Sequence, residues 1–298
     1  QLSEVGLRET IHEQRAWRHG EKYLVCSGFC LQDAMETLAH GLDVRLRWEA
    51  TRVVRTADGN VAVEGANGQH IRARRVIVSI PLKALQRGAL EFVPPLPAPK
   101  EAAIGRVLVG NAVKIFIRFE RRFWPPDFFD AVCADCFFPE VWLTPAADAM
   151  GVDSRPPYVM VGFVAGERAE RVGRLAGDEA ARLLLAQLDT MFGSRLEPHP
   201  ASKAYAAHII KDWSQDRLAR GAYSHPTIGA HGARAVIGSP VDGRLFFCGE
   251  ACNESINPCV NGAMESGCLA AQLVERSLQA GSTALEPRPF VSLPISKL

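Results

Sequence analysis

The run from Arg244 to Glu275 constrains the fold of this chain more than any other stretch, because a short apolar strand, a polar turn and the start of a small-residue helix follow one another without a break. Leu245 to Cys248 is apolar, rich in Phe and too short for a helix, which reads as a buried strand of the parallel type. Gly249 ends it and Glu250 stands at its carboxyl end. From Val260 the pattern turns helical, and Ala263, Gly267, Ala270 and Ala271 are small enough to let this helix approach another backbone closely. Strand, turn and helix N-terminus together make a place where backbone N–H groups and the positive end of the helix dipole can hold an electron-rich ligand atom. Taken by itself, the run is also compatible with an ordinary βα unit of an α/β core.

The same run resembles the C-terminal flavin-binding segment of the FAD-dependent amine oxidase family, which includes monoamine oxidases, polyamine oxidases and lysine-specific histone demethylases. The resemblance implies that the turn at Gly249 and Glu250 places the acidic side chain on the ribityl or pyrophosphate part of FAD. It also implies that the helix start at Val260 presents a backbone N–H to the pyrimidine edge of the flavin.

The chain has 298 residues, 47% of them hydrophobic, enough for a substantial core in one large domain or two intertwined ones. A net charge of +1 makes no electrostatic case for nucleic acid or an anionic membrane. No apolar run approaches the length of a membrane span, and Gln1 to Arg18 is too charged for a secretory signal. The eight cysteines therefore read as reduced thiols. Of the close pairs Cys26/Cys30, Cys133/Cys136 and Cys248/Cys252 only one is C-x-x-C and the three are far apart, so buried thiols are preferred to a zinc site and no metal is expected. Ser296-Lys297-Leu298 matches the peroxisomal address read by an import receptor, and it ends a Pro-rich tail.

Along the chain, Ser3 to Arg18 reads as the end of a helix, and Tyr23 to Gly28 as a short lead into a helix over Leu31 to His40 with Leu31, Ala34, Met35 and Leu38 on one face. Val44 to Trp48 alternates as a strand. Thr51 to Thr56 and Val61 to Glu64 are joined by Asp58-Gly59, a strong hairpin signal, and Asn67-Gly68 marks a second turn. Arg75 to Pro81 reads as a buried strand stopped by proline. Lys100 to Val107 reads as a short helix, Asn111 to Glu120 and Val159 to Val164 as strands, and Asp178 to Phe192 as an amphipathic helix on Ala181, Leu184, Leu185 and Leu188. The fold expected is α/β, the C-terminal part of an FAD/NAD(P)-binding three-layer fold with an inserted α+β substrate domain. Its divisions are 1–20 as the end of a truncated helical region, 21–92 and 204–280 as FAD-binding segments, 93–203 as the substrate domain, and 281–298 as a tail.

Lys114 is flanked in its strand by Val113 and Ile115, so its side chain points to the face opposite theirs. Without context it reads as a solvated strand lysine. The surrounding block from Gly110 to Trp124 resembles the amine oxidase run in which a lysine hydrogen-bonds a water near flavin N5, which implies a part in the reaction with oxygen. The block from Trp213 to Ser224 also resembles a family motif, which implies that Trp213 packs on the isoalloxazine and that Tyr223 forms one wall of a substrate cage. Thr51 or Val53 falls where the family's main chain touches adenine.

Three departures qualify the resemblance. Ala222 stands where monoamine oxidases carry a flavin-bonded cysteine, so FAD is expected to be held non-covalently. Cys259 stands where the second aromatic cage wall is expected. No G-x-G-x-x-G opens a βαβ unit anywhere, so the chain as given is expected to bind FAD weakly. The expected function is oxidation of an amine, preferably a polyamine, to an imine with oxygen reduced to hydrogen peroxide. The alternative is a non-catalytic homologue acting as an interaction module, and a histone-demethylase-like branch ranks behind the polyamine type.

Overall fold

The structure, a computed structural model, describes residues 5–16, 30–144, 158–256 and 258–279. The expected lead at Tyr23 to Gly28 and the address at Ser296, Lys297 and Leu298 lie outside the described residues. Two compact units divide the chain, one drawing on Gln1–Gly20, Arg45–Val109 and Tyr223–Leu298, the other on Glu21–Val44 and Gly110–Ala222.

Helix α1 (Leu7–Ala16) follows a bridge between Val5 and Thr227, and Gly6 lies there so close to the Thr227 carbonyl that a Cβ would come within 2.4 Å of it. Helix α2 (Leu31–Ala39) forms where expected, but none of its residues is buried within the described structure. Val44 to Trp48 is not a strand: the segment is irregular with a turn at Leu46 and Arg47, and Arg47 takes a φ of 57°, a left-handed conformation that breaks an extended run.

Strands β1 (Ala50–Arg55), β2 (Val61–Gly65) and β3 (His70–Ala73) form an antiparallel meander. Its two turns are those signalled by Asp58-Gly59 and Asn67-Gly68, with both glycines at positive φ. Strand β4 (Val76–Val78) leads to α3 (Leu82–Gln86), which begins after Pro81. Strand β5 (Glu91–Val93) then lies parallel to β1, completing the order β3-β2-β1-β5. Helix α4 (Ala98–Arg106) and strand β6 (Val107–Val109) close this part of the first unit.

The second unit is built on β7 (Ala112–Phe119), β8 (Asp130–Val132), β9 (Glu140–Leu143) and β10 (Tyr158–Ala165). Helices α5 (Glu167–Gly173), α6 (Gly177–Phe192) and α7 (Pro200–Ala204) follow, and β11 (Tyr205–Asp212) returns to the sheet. The order is β11-β7-β10-β9-β8, antiparallel throughout. Alternation along β7 buries Val113, Ile115, Ile117 and Phe119 in one core with Leu184 and Leu188 of α6. Gly162 marks the closest approach, since a Cβ there would stand 2.6 Å from Leu184 Cδ2. The main segment of this unit runs from Gly110 to Ala222, and it takes in β11 because that strand is hydrogen-bonded to β7 along its length.

The chain then re-enters the first unit. Strand β12 (Ser224–Pro226) pairs with β6, α8 (Ala233–Gly238) packs against α4, and β13 (Leu245–Phe247) runs parallel to β4 with Phe246 opposite Ile77. Helix α9 (Val260–Gln279) sets Ala270 and Leu273 on Phe246. Its closest backbone approach is not at Gly267 but at Gly262, where a Cβ would fall 1.5 Å from the Ile256 carbonyl oxygen.

Candidate active site

In the first unit, the strand of β13 runs into Gly249, whose φ of 136° is accessible to glycine and strained for other residues. Its N–H donates to Ser266 Oγ at 2.9 Å, and the Ser266 hydroxyl contacts the Gly249 and Ala263 carbonyls at 2.9 and 2.8 Å, tying the turn to α9. The Glu250 carboxylate accepts the Ser224 hydroxyl at 2.5 Å. Beneath it Arg234, wholly buried, donates to Ser224 Oγ at 2.9 Å, to the Ser224 carbonyl at 3.3 Å and to the Glu250 carbonyl at 3.4 Å. Burial raises the Glu250 pKa above the usual carboxylate range, and the Ser224 hydrogen bond and the Arg234 charge oppose that rise.

Asn253 shapes the loop ahead of α9: its Oδ1 accepts the amides of Ser255 and Ile256, and its Nδ2 donates to the Gly262 carbonyl and the Glu265 carboxylate. Cys259 and Val260 are exposed where the helix begins, and so is Tyr223 just before β12. Val53 is buried in β1 between β2 and β5, whereas Thr51 is exposed and donates its hydroxyl to the Glu64 carbonyl at 3.3 Å. Thr51 and Val53 therefore sit in the four-stranded sheet, and Gly249, Glu250 and Val260 at the strand-turn-helix junction.

In the second unit, Lys114 lies in mid-β7, opposite Phe163 of β10 on one side and Lys211 of β11 on the other. Its ammonium stands 5.5 Å from the Trp142 ring centroid and 5.9 Å from that of Phe163, within cation–π range. The facing Lys211 would oppose it with a like charge, but Lys211 Nζ turns to the Asp216 carboxylate at 2.7 Å and lies 4.5 Å over the Trp213 ring. The Lys211 hydrogen bond, joined by the Ala219 and Leu218 amides, holds the Asp216 carboxyl down at about 2. Trp213 opens a single 3₁₀ turn to Gln215, capped by Asp212, which accepts the Ser214 amide at 2.8 Å. Ala222 donates its amide to the Gly110 carbonyl at 2.9 Å, and as an alanine it offers no sulfur.

Sequence reasoning missed several groups that hold these parts in place. Lys100 is 2% exposed and donates to the carbonyls of Val236, Ile237 and Ser239 at 2.6–2.7 Å, capping the last turn of α8. It also lies 4.2 Å over the Phe247 ring, and burial lowers its pKa to about 8. Desolvation pushes the Cys252 thiol up to about 12. Arg234, Ser224, Trp142 and the Lys211–Asp216 pair were likewise missed. A cleft of about 510 Å³ lies between α6 and α7 around Asp189 and His199, and another of about 370 Å³ runs along α3, β5 and α4. Neither is lined by the expected site residues, and no metal-ligand cluster is found among the described residues.

Residues 19–275 match the family model described as flavin containing amine oxidoreductase. The chain is 32% identical over 239 residues to polyamine oxidase 2 of Arabidopsis thaliana, covering 80% of this chain and 46% of that protein. It is 30% identical to lysine-specific histone demethylase 2 of Homo sapiens, over 85% of this chain and 31% of that one. Among solved structures, the fold resembles putrescine oxidase bound to putrescine at a TM-score of 0.67, with 21% identity over 85% of this chain and 53% of that chain. It resembles cyclohexylamine oxidase from Brevibacterium oxydans at 0.66, with 20% identity over 78% of this chain and 49% of that chain. The chain spans about half the length of the polyamine oxidases it matches. With the α/β fold, the strand-turn-helix junction and the lysine-bearing sheet in view, the match over 19–275 means that the chain belongs to the flavin-containing amine oxidoreductase family.

Proposed function

We propose that this chain is the C-terminal part of an FAD-dependent amine oxidase that converts an amine, of polyamine type, to an imine while oxygen becomes hydrogen peroxide. The observation that carries this reading is the placement of Lys114 on the face of β7 away from the core, with its ammonium within cation–π range of Trp142 and Phe163. The polyamine oxidases among the relatives support the substrate class.

The residues present fit part of a flavin. Among the described residues nothing beyond its chain neighbours lies within 4 Å of where a Cβ would stand on Gly249, and Cys259, Val260 and Asn261 are exposed, so strand end and helix start leave room for a ligand. The Glu250 carboxylate already accepts one hydroxyl, the contact a ribityl hydroxyl would make. When bound, FAD supplies the hydride acceptor and the route of electrons to oxygen. Glu250, Gly249 and the Val260 amide would hold it, main chain at Thr51 or Val53 would contribute to its adenine part, and the Trp213 indole would pack on its flavin part. Tyr223 and Cys259 flank the amine. Lys114 would hold a water and move a proton where oxygen is reduced, its charge favouring the anionic product. Ala222 leaves the cofactor non-covalently bound, so acid precipitation should release flavin from the polypeptide. Ser296-Lys297-Leu298 addresses the chain to the peroxisomal import receptor, in an organelle suited to a peroxide producer.

The test is anaerobic mixing of flavin-loaded protein with a polyamine. Bleaching of the flavin, with peroxide formed on readmitting air, is the expected result. Flavin that binds but is bleached by no amine would turn the reading to the non-catalytic alternative.

A further inference from the structure

The turn at the end of β8 carries a pair of thiols outside the site described above. Cys136 donates its amide to the Cys133 carbonyl at 3.1 Å, closing a four-residue turn over Ala134 and Asp135. Cys133 in turn donates its amide to the Pro139 carbonyl at 2.7 Å, which closes the loop between β8 and β9. Arg168 of α5 pins the turn from outside, donating to the carbonyls of Cys136 and Ala134 at 3.2 and 3.0 Å. A hydrogen-bonded turn of this kind keeps its end Cα atoms within about 7 Å, and a disulfide bridges Cα atoms about 4.4–6.8 Å apart. Both thiols are partly accessible.

We propose that Cys133 and Cys136 form a reversible dithiol–disulfide site whose oxidant is hydrogen peroxide. One thiolate attacks peroxide: an S–O bond forms, the O–O bond breaks, and the departing oxygen takes a proton to leave as water. The second thiolate attacks the resulting sulfenic sulfur: an S–S bond forms, the S–O bond breaks, and a second water leaves. The two thiols thus lose two electrons and two protons, and one peroxide becomes two waters.

Metal binding is the other use of a C-x-x-C, and among the described residues no third ligand joins this pair. A closed loop this short constrains the unfolded chain least, so the disulfide adds little stability and stays open to reduction. Burial, the hydrogen bond with Cys136 and the Asp135 carboxylate raise the Cys133 thiol, so oxidation speeds up as pH rises. The loop leads into β9, whose Trp142 faces Lys114, and bridging would stiffen the support of that ring.

The experiment uses residues 1–298 and added hydrogen peroxide, and so does not depend on amine oxidase activity. After peroxide treatment and alkylation, the tryptic peptide beginning at Phe123 holds Cys133 and Cys136 and no other cysteine. The expected result is loss of two hydrogens from that peptide, loss of both alkylation sites, and recovery of both with dithiothreitol. In Cys136→Ser the Cys133 sulfur should instead accumulate as sulfenic acid, trapped by dimedone. Two thiols in the wild-type peptide that stay alkylatable, or that pass to sulfinic acid without bridging, would overturn the proposal whatever the variant does.

Discussion

In the unit that carries Glu250, Lys100 and Arg234 are committed to the backbone around them, whereas in the other unit Lys114 and Lys211 stand beside aromatic rings. Lys100 places its ammonium on three carbonyls at the end of α8, and Arg234 ties Ser224 to Glu250 from a wholly buried position. Lys114 lies near Trp142 and Phe163, and Lys211 over Trp213 with one carboxylate partner. A buried charge surrounded by carbonyls is costly to disturb, because each acceptor left without a donor must be desolvated for nothing. A charge on a sheet face beside rings costs little to remove and stays available to a ligand or a proton. The difference separates charges that build the fold from charges that can work in it.

The largest effect is expected at Arg234. Replacing it with leucine removes the donor to the Ser224 hydroxyl and to the Ser224 and Glu250 carbonyls, and the charge beside the Glu250 carboxylate, and should lower unfolding free energy in urea by about 3–5 kcal/mol. A loss under about 1 kcal/mol would mean that the network is not structural. Lys100→Met leaves three carbonyls of α8 unpaired and should cost about 2–4 kcal/mol by the same measurement, with Lys100→Arg also destabilising because a fork does not fit three converging acceptors.

Glu250→Gln should alter the pH dependence of stability. Burial raises the folded-state pKa of Glu250 above its unfolded value, so its contribution to stability is fully present below about pH 4 and is lost as pH rises through the folded value. The variant should lack that decline, and urea midpoints measured against pH should be flatter for it than for the parent. Equal slopes would assign the carboxylate an ordinary pKa. The smallest effect is expected at Asp216→Asn. Its carboxylate is depressed by Lys211, so any stability it adds is present above the usual carboxylate range and is lost only as pH falls toward about 2. Near neutral pH the midpoint should scarcely move, while Trp213 emission should change as Lys211 loses its partner.

The parts of the fold that the sequence foretold are those whose causes lie within a dozen residues. The strand of β13, the break at Gly249 and the helix from Val260 follow from local apolar pattern and glycine, as do the turns at Gly59 and Gly68 and the buried face of α6. Lys114 was legible because strand alternation alone sends it away from Val113 and Ile115. Lys100 was not, since its acceptors lie more than 130 residues further on, and a helix pattern says nothing of what a lysine meets there. The membership of β11 in the lysine-bearing sheet was missed for the same reason, its partner β7 being far upstream. Alternation at Val44 to Trp48 misled because the backbone at Arg47 is left-handed, a choice that hydrophobic period does not report.

Whether the charge on Lys114 is available for chemistry is tested most directly by Lys114→Met in flavin-loaded protein, with the two half-reactions followed separately by stopped flow. Recovery of flavin colour with oxygen should slow by about a hundredfold, while anaerobic bleaching by amine should change by less than about threefold. Equal slowing of both, accompanied by a loss of stability as large as that of Lys100→Met, would contradict the account and make Lys114 one more structural charge.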